Sequence, residues 1–124
     1  MKFLLSTTLI FFFAIAPAGS AEIKPEARSF AGFWIQFQAA VVKGDKAAIA
    51  GMTKFPFADE KLTKAEFLKQ CDELFSAKVR RCFRNAKPVK DSNRDSYSVF
   101  CGETIFVFEK ANGEYKFTDL GVND

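Results

Sequence analysis

Apolar residues recur first at helical spacing and later at every second position, so the chain is predicted to place helices before strands. Between about Pro25 and Lys43, spacings of three and four define one apolar helix face. Its large side chains are Phe30, Phe33, Trp34, Phe37 and Val41. Gly44 suits a left-handed cap at the end of that helix, and Asp45 suits the start of a short second helix from Lys46 to Met52.

Two further helices are predicted after Phe55-Pro56-Phe57, which the proline forces into a short edge strand or an extended pass across the core. Thr63 and Glu66 have the spacing of a capping box, which marks a helix start. The apolar side of the helix that follows consists of Phe67, Leu68, Cys71, Leu74 and Phe75. A further turn or short helix around residues 79–84 is predicted to bury Val79, Cys82 and Phe83.

After Lys90, apolar and polar positions alternate, which predicts three antiparallel strands. Gly102 is predicted to turn the first strand into the second, with a bulge at that position as the alternative. Asn112-Gly113 is a strong hairpin signal before the third, because a type I′ turn needs positive φ at both central positions. The sequence therefore predicts an α+β fold, with N-terminal helices packed on one face of a curved antiparallel sheet.

The first 21 residues have the order of a secretory signal peptide. Lys2 precedes an apolar run from Phe3 to Ala16, and a small-residue tail follows, with cleavage expected after Ala18 or Ala21. About 14 apolar residues are too few to cross roughly 30 Å of hydrocarbon. We therefore predict a signal peptide at 1–21, a single α+β domain at 22–124, a periplasmic or secreted location, and no membrane span after cleavage.

Histidine is absent from the sequence, which argues against several classes of enzyme. Without imidazole there is no Ser-His or Cys-His nucleophile pair, no common zinc site and no proton shuttle near neutral pH. The sequence therefore favours a non-catalytic protein, and no cofactor or metal is expected. Residues 22–124 contain 17 basic and 15 acidic residues, a net charge of +2 that gives no general case for nucleic acid binding.

Three cysteines fall in the predicted domain, and an oxidising compartment favours one disulfide with one thiol left over. The favoured pair is Cys82 with Cys101, because Cys71 lies on the apolar stripe of a predicted helix and suits a small core residue there. Spacing alone leaves the other two pairings open.

The predicted domain resembles small exported bacterial proteins of the nuclear-transport-factor-like (cystatin-like) superfamily. The likeness rests on Phe33-Trp34-x-x-Phe37, on Gly44-Asp45 with its Ala-rich helix, on Phe55-Pro56-Phe57, and on the closing hairpin around Asn112-Gly113. It implies a cone-shaped fold enclosing a conical pocket. Ketosteroid isomerase and scytalone dehydratase use that pocket for acid–base chemistry with Asp, Tyr or His. This chain has no His, and no catalytic residue is carried over from the resemblance.

The predicted partner is a small apolar ligand or another protein of the cell envelope. A ligand pocket is considered because such pockets are mostly apolar with few polar anchors. The predicted lining is Trp34, Phe37, Phe55, Phe57, Tyr97, Phe106, Phe108 and Asp119. A solid packed core explains the same aromatic residues. Asp119, if aimed inward beside Tyr115 and Phe117, becomes the candidate base of a small acid–base enzyme, an isomerase or a dehydratase.

A basic stretch around the fourth predicted helix gives a different hypothesis. Six basic residues run to Lys90 with no acid before Asp91, and those predicted to form a patch are Lys78, Arg80, Arg81, Arg84 and Lys87. Such a patch suits lipid head groups, lipopolysaccharide or an acidic envelope protein, whereas its plain alternative is a solvated helix face. Nucleic acid is not expected, because exposed aromatics do not interleave with the cations. The oligomeric state is left open.

Overall fold

The structure is a computed structural model that describes residues 29–123, and the predicted signal peptide lies outside them. Four helices are seen in this part: α1 (Phe30–Lys43), α2 (Lys46–Gly51), α3 (Lys64–Leu74) and α4 (Ala77–Asn85). The strands that follow are β1 (Val89–Lys90), β2 (Ser96–Cys101), β3 (Thr104–Ala111) and β4 (Glu114–Val122). The strands form one antiparallel sheet in the order β1-β2-β3-β4, which is not closed into a barrel. The predicted α+β fold is confirmed.

The helix boundaries follow local capping chemistry. Helix α1 begins at Phe30, later than the predicted Pro25, and the Ser29 side chain accepts a hydrogen bond from the Gly32 N–H at its start. Gly44 ends α1 in the left-handed conformation, with φ 71°. The predicted capping box of Thr63 and Glu66 is present at the start of α3.

The two predicted turns of the sheet are confirmed. Gly102 has φ 62° between β2 and β3, while Asn112 and Gly113 have φ 52° and 82° in the β3–β4 hairpin. The structure adds two features that alternation does not predict. The two-residue strand β1 pairs with β2, and a bulge at Thr118 makes Phe108 pair with Phe117 while Val107 pairs with Asp119.

The segment after α2 extends the sheet at the outer edge of β4. Thr53 forms a parallel bridge with Phe117, the Lys54 N–H donates to the Phe117 carbonyl, and the Phe117 N–H donates to the Met52 carbonyl. The Phe55–Pro56 peptide bond is cis, and Phe57 then pairs with Leu62 across a short turn. The predicted extended pass after α2 is therefore an edge element that covers backbone groups of β4.

The core lies between the helices and one face of the sheet. Phe37 of α1 is fully buried, with its ring centroid 4.9 Å from that of Phe108 and 5.5 Å from that of Phe117. The opposite face of the sheet is not covered by the described helices, and Phe100 on that face is 48% exposed. Within residues 29–123, no helix combines the length and apolar character needed to cross a bilayer.

A covalent link and a hydrogen bond fix α4 to the rest of the domain. The sulfur atoms of Cys82 and Cys101 lie at disulfide distance, with the two Cα atoms 5.9 Å apart. The Gln38 side chain of α1 donates to the Phe83 carbonyl at 2.6 Å. Cys71 is a buried free thiol, and burial raises the pKa of that thiol. The paired cysteines are compatible with a protein that folds in an oxidising compartment.

Candidate functional site

Most of the aromatic residues predicted to line an apolar pocket lie in the core. Trp34, Phe37, Phe57, Phe106 and Phe108 are buried. Their rings contact one another or other core rings at centroid distances near 5 Å, for example Trp34 with Phe83 at 5.4 Å and Phe106 with Phe83 at 5.0 Å. Such edge-on and tilted contacts are typical of a filled aromatic core. Binding of an apolar ligand among these residues stays a prediction.

Two other residues predicted to line the pocket lie at the margins of the aromatic core. Phe55 is half-buried, with its ring 5.4 Å from that of Phe67 on α3. Tyr97 is also half-buried, and its ring stacks on that of Phe30 at 3.6 Å, at the start of α1. The two residues flank the aromatic core on different elements and make their ring contacts with different partners.

Asp119 lies on the sheet face opposite to the core. Its strand partner Val107 sits between Phe106 and Phe108, which both point into the core, so Val107 and Asp119 share the other face. The bulge at Thr118 causes this, because one extra residue reverses the alternation that starts from Phe117. The carboxylate accepts a hydrogen bond from the Leu120 N–H at 2.8 Å.

The surroundings of Asp119 are charged and open to the surface. It borders a surface pocket of about 250 Å³ whose charged lining also includes Lys54, Asp59, Glu109 and Lys110. Within residues 29–123, no group of three or more Cys, Asp or Glu side chains is arranged to hold a metal ion. The pocket brings acids and lysines together in nearly equal number, which favours neither an anion nor a cation.

Asp95 is a polar residue that the sequence pattern did not single out, and Tyr115 donates a hydrogen bond to its carboxylate. Burial raises the pKa of Tyr115 to about 12, and the bond to Asp95 acts in the same direction. Lys110 Nζ lies 3.9 Å from Asp95 Oδ2 and 5.4 Å from the Tyr115 ring centroid. A tyrosine in this environment keeps its proton at neutral pH, so the pair joins the β1–β2 loop to β4.

The cations of α4 present the clearest surface feature. Lys78, Arg81 and Arg84 on α4 are exposed, as is Lys87 in the segment that follows, and we call these four residues the α4 basic surface. Four ion pairs form within residues 29–123, and they use Lys46, Arg94, Lys110 and Lys116. None of them involves the α4 basic surface. Its four charges are therefore free of carboxylate partners in the described part of the chain.

Arg80 differs from its neighbours in the predicted patch. It is half-buried, and its Nε atom is buried without a hydrogen-bond partner in the described structure. A Cβ atom placed on Gly44 would lie 3.0 Å from Arg80 Nη1, so the guanidinium lies against the carboxyl end of α1. That end carries the negative pole of the helix dipole, which favours a cation. Arg80 thus serves the packing of α4 on α1, and we leave it out of the α4 basic surface.

Charge is unevenly distributed over the predicted domain. Residues 76–90 contain six basic and no acidic residues, whereas the remainder of residues 22–124 contains 11 basic and 15 acidic residues. The stretch therefore carries +6 and the remainder −4. Four of these six cations lie on α4, which is fixed to β2 by the Cys82–Cys101 pair, while Lys87 and Lys90 lie in the segment after α4 and in β1.

The α4 basic surface can attract and hold negative charge. Sequence reasoning found the cations of α4 from their clustering, but it did not separate Arg80 from the others. It also missed Asp95, which lies in a loop without periodicity.

Comparison of the chain with protein-family models, with curated proteins and with solved structures found no match in any of the three.

Proposed function

We propose that this chain is an exported, non-catalytic binding domain that holds an anionic partner through the α4 basic surface. The observation that carries the proposal is a cluster of exposed cations, in a stretch without acidic residues, that form no ion pair among residues 29–123: Lys78, Arg81, Arg84 and Lys87. An anionic partner meets these charges without displacing a carboxylate of the protein itself. A single exposed ion pair contributes only about 0.2–1 kcal/mol, so binding needs several of them together.

The rigidity of α4 supports a binding role. The helix is capped at Ser76, bonded to Gln38 of α1 and linked to Cys101 of β2. A fixed helix keeps its cations on one surface in the free protein, which reduces the ordering needed when a partner binds. The exported location that we propose rests on the signal-peptide pattern of residues 1–21, and the cysteine pair is compatible with it.

The finer fold assignment is also a proposal. Helices on one face of an antiparallel sheet, with a bulge in β4, agree with a variant of the nuclear-transport-factor-like architecture. In this chain the space between helices and sheet is occupied by large aromatic rings, including Phe37, Phe106 and Phe117. This filling favours recognition at the surface over recognition inside the domain.

The test compares two variants with the same change of net charge. Arg81→Glu/Arg84→Glu alters the α4 basic surface, whereas Lys64→Glu/Lys69→Glu alters exposed lysines on α3. Binding to dextran sulfate, a soluble polyanion, is measured by titration calorimetry at low and at high salt. We expect the α4 variant to lose at least about tenfold in affinity at low salt and the α3 variant to retain most of it. Equal losses in both variants would show that only net charge matters, and would contradict the proposal.

A further inference from the structure

We infer that the partner of the α4 basic surface is the anionic surface of a lipid bilayer, entered by the exposed apolar side chains of Phe100 and Val89. This inference rests on the proposed function and names its partner class. The additional observation is the exposure of two apolar residues at the same edge of the domain. Phe100 is 48% exposed and Val89 is 55% exposed.

Strand register places these two residues on one sheet face. Val89 pairs with Ser98, and Phe100 follows two residues later on β2, so their side chains share the face that the helices leave open. Phe100 pairs with Ile105 of β3, which is itself half-buried on that face. The apolar side chains therefore lie along the β1–β2 edge.

The chain connects this edge directly to the cations. Arg81 is the neighbour of Cys82, and Phe100 is the neighbour of Cys101, while the two cysteine Cα atoms are only 5.9 Å apart. Lys87 lies two residues before Val89, in the segment that leads from α4 into β1. The backbone of the cationic segment thus runs next to that of the exposed apolar residues at this edge, through the Cys82–Cys101 link and through the segment from α4 into β1.

A bilayer surface accommodates this combination. Cations of long side chains reach phosphate groups at the head-group level, and apolar side chains enter a few ångströms deeper. The Arg81 and Arg84 side chains are not held by hydrogen bonds or ion pairs to other described residues. Recognition of one acidic protein favours guanidinium groups oriented for bidentate contact, whereas a fluid head-group layer needs no such orientation.

The test uses vesicles of phosphatidylglycerol mixed with phosphatidylcholine, and vesicles of phosphatidylcholine alone as reference. Phe100→Trp places a fluorophore at the predicted point of entry, and the buried Trp34 of the unmodified chain provides the control. We expect Phe100→Trp to shift its emission to the blue on anionic vesicles and to be quenched by brominated acyl chains. Trp34 alone is expected to show neither change. Phe100→Ser is expected to bind these vesicles about tenfold more weakly.

The outcomes separate the two proposals. The bilayer inference is overturned if the emission of Phe100→Trp is unchanged on anionic vesicles. It is also overturned if the protein does not bind vesicles while dextran sulfate binding still depends on Arg81 and Arg84. The proposed function then stands, with a soluble acidic partner. Vesicle binding by Arg81→Glu/Arg84→Glu as strong as that of Lys64→Glu/Lys69→Glu also overturns the bilayer inference, and equal dextran sulfate binding by the two variants overturns the proposed function as well. If Phe100→Trp keeps its affinity for anionic vesicles while Phe100→Ser loses affinity, the result supports entry of an apolar side chain into the bilayer. It argues against an effect of the substitution on folding.

Discussion

The Cα atoms of Cys82 in α4 and Cys101 in β2 lie 5.9 Å apart, and the paired sulfur atoms join the basic helix to the sheet. The same link brings the backbones of Arg81 and Phe100, the neighbours of the two cysteines, close together. Fold stability and the proposed binding surface therefore depend on one pair of residues.

Replacing both Cys82 and Cys101 with serine is expected to lower the free energy of unfolding by about 3 kcal/mol, because the reduced chain gains the entropy of an open loop of about 20 residues. Urea unfolding measures the change. Cys71→Ala is the matched control, since it removes a buried cysteine without opening the bridge. Thiol titration of the unfolded, unreduced chain should find one free thiol, that of Cys71, and a count of three would contradict the pairing.

Gly44 is expected to resist substitution because it combines φ 71° with close packing against Arg80. Gly44→Ala should destabilise the domain by about 1–2 kcal/mol, mainly through the left-handed backbone. Gly51→Ala is the control, because Gly51 has no positive φ and no heavy atom lies within 4 Å of an added Cβ. Thermal unfolding should show Gly51→Ala to be neutral or stabilising. Equal effects at the two positions would contradict the conformation assigned to Gly44.

Phe37→Ala is expected to destabilise the domain by about 3–5 kcal/mol, since its fully buried ring contacts several other rings. Ile35→Ala, on the same helix but 65% exposed, should change the free energy of unfolding by less than about 0.5 kcal/mol. Urea unfolding of the two variants provides the comparison. A small loss for Phe37→Ala would instead indicate that its ring faces an open cavity.

Tyr115 gives a prediction at alkaline pH. Its pKa is raised from the ordinary value of about 10 to about 12, chiefly by burial and then by the bond to Asp95. The stabilisation linked to this proton is complete below pH about 10 and is lost as the pH rises through about 12. The variant Tyr97→Phe leaves Tyr115 as the one tyrosine of the chain. Its absorbance at 295 nm should rise only well above pH 10 in the folded protein, and titration at the ordinary pKa would contradict the assigned environment.

Elements governed by local chemistry could be predicted from the sequence. The Thr63–Glu66 capping box, the cap at Gly44 and the Asn112-Gly113 hairpin each depend on residues a few positions apart. The aromatic helix face was predicted for the same reason, because Phe33 and Phe37 are separated by one turn.

Features that depend on distant residues could not be predicted in this way. Alternation places Asp119 beside Phe117, but a bulge at Thr118 moves it to the opposite sheet face. Arg80 was grouped with its exposed neighbours, because only the packing of α4 on α1 places its guanidinium against Gly44. The pairing of Tyr115 with Asp95 spans 20 residues and leaves no periodic signal.

Titration of the isotope-labelled chain with dextran sulfate, followed by backbone amide NMR, identifies the binding surface most directly. The account predicts that shifted resonances cluster in α4 and in the segment leading to β1, around Arg81, Arg84 and Lys87, while those of α3 around Lys64 and Lys69 stay unchanged. Changes centred on α3 or spread evenly over the domain would contradict it.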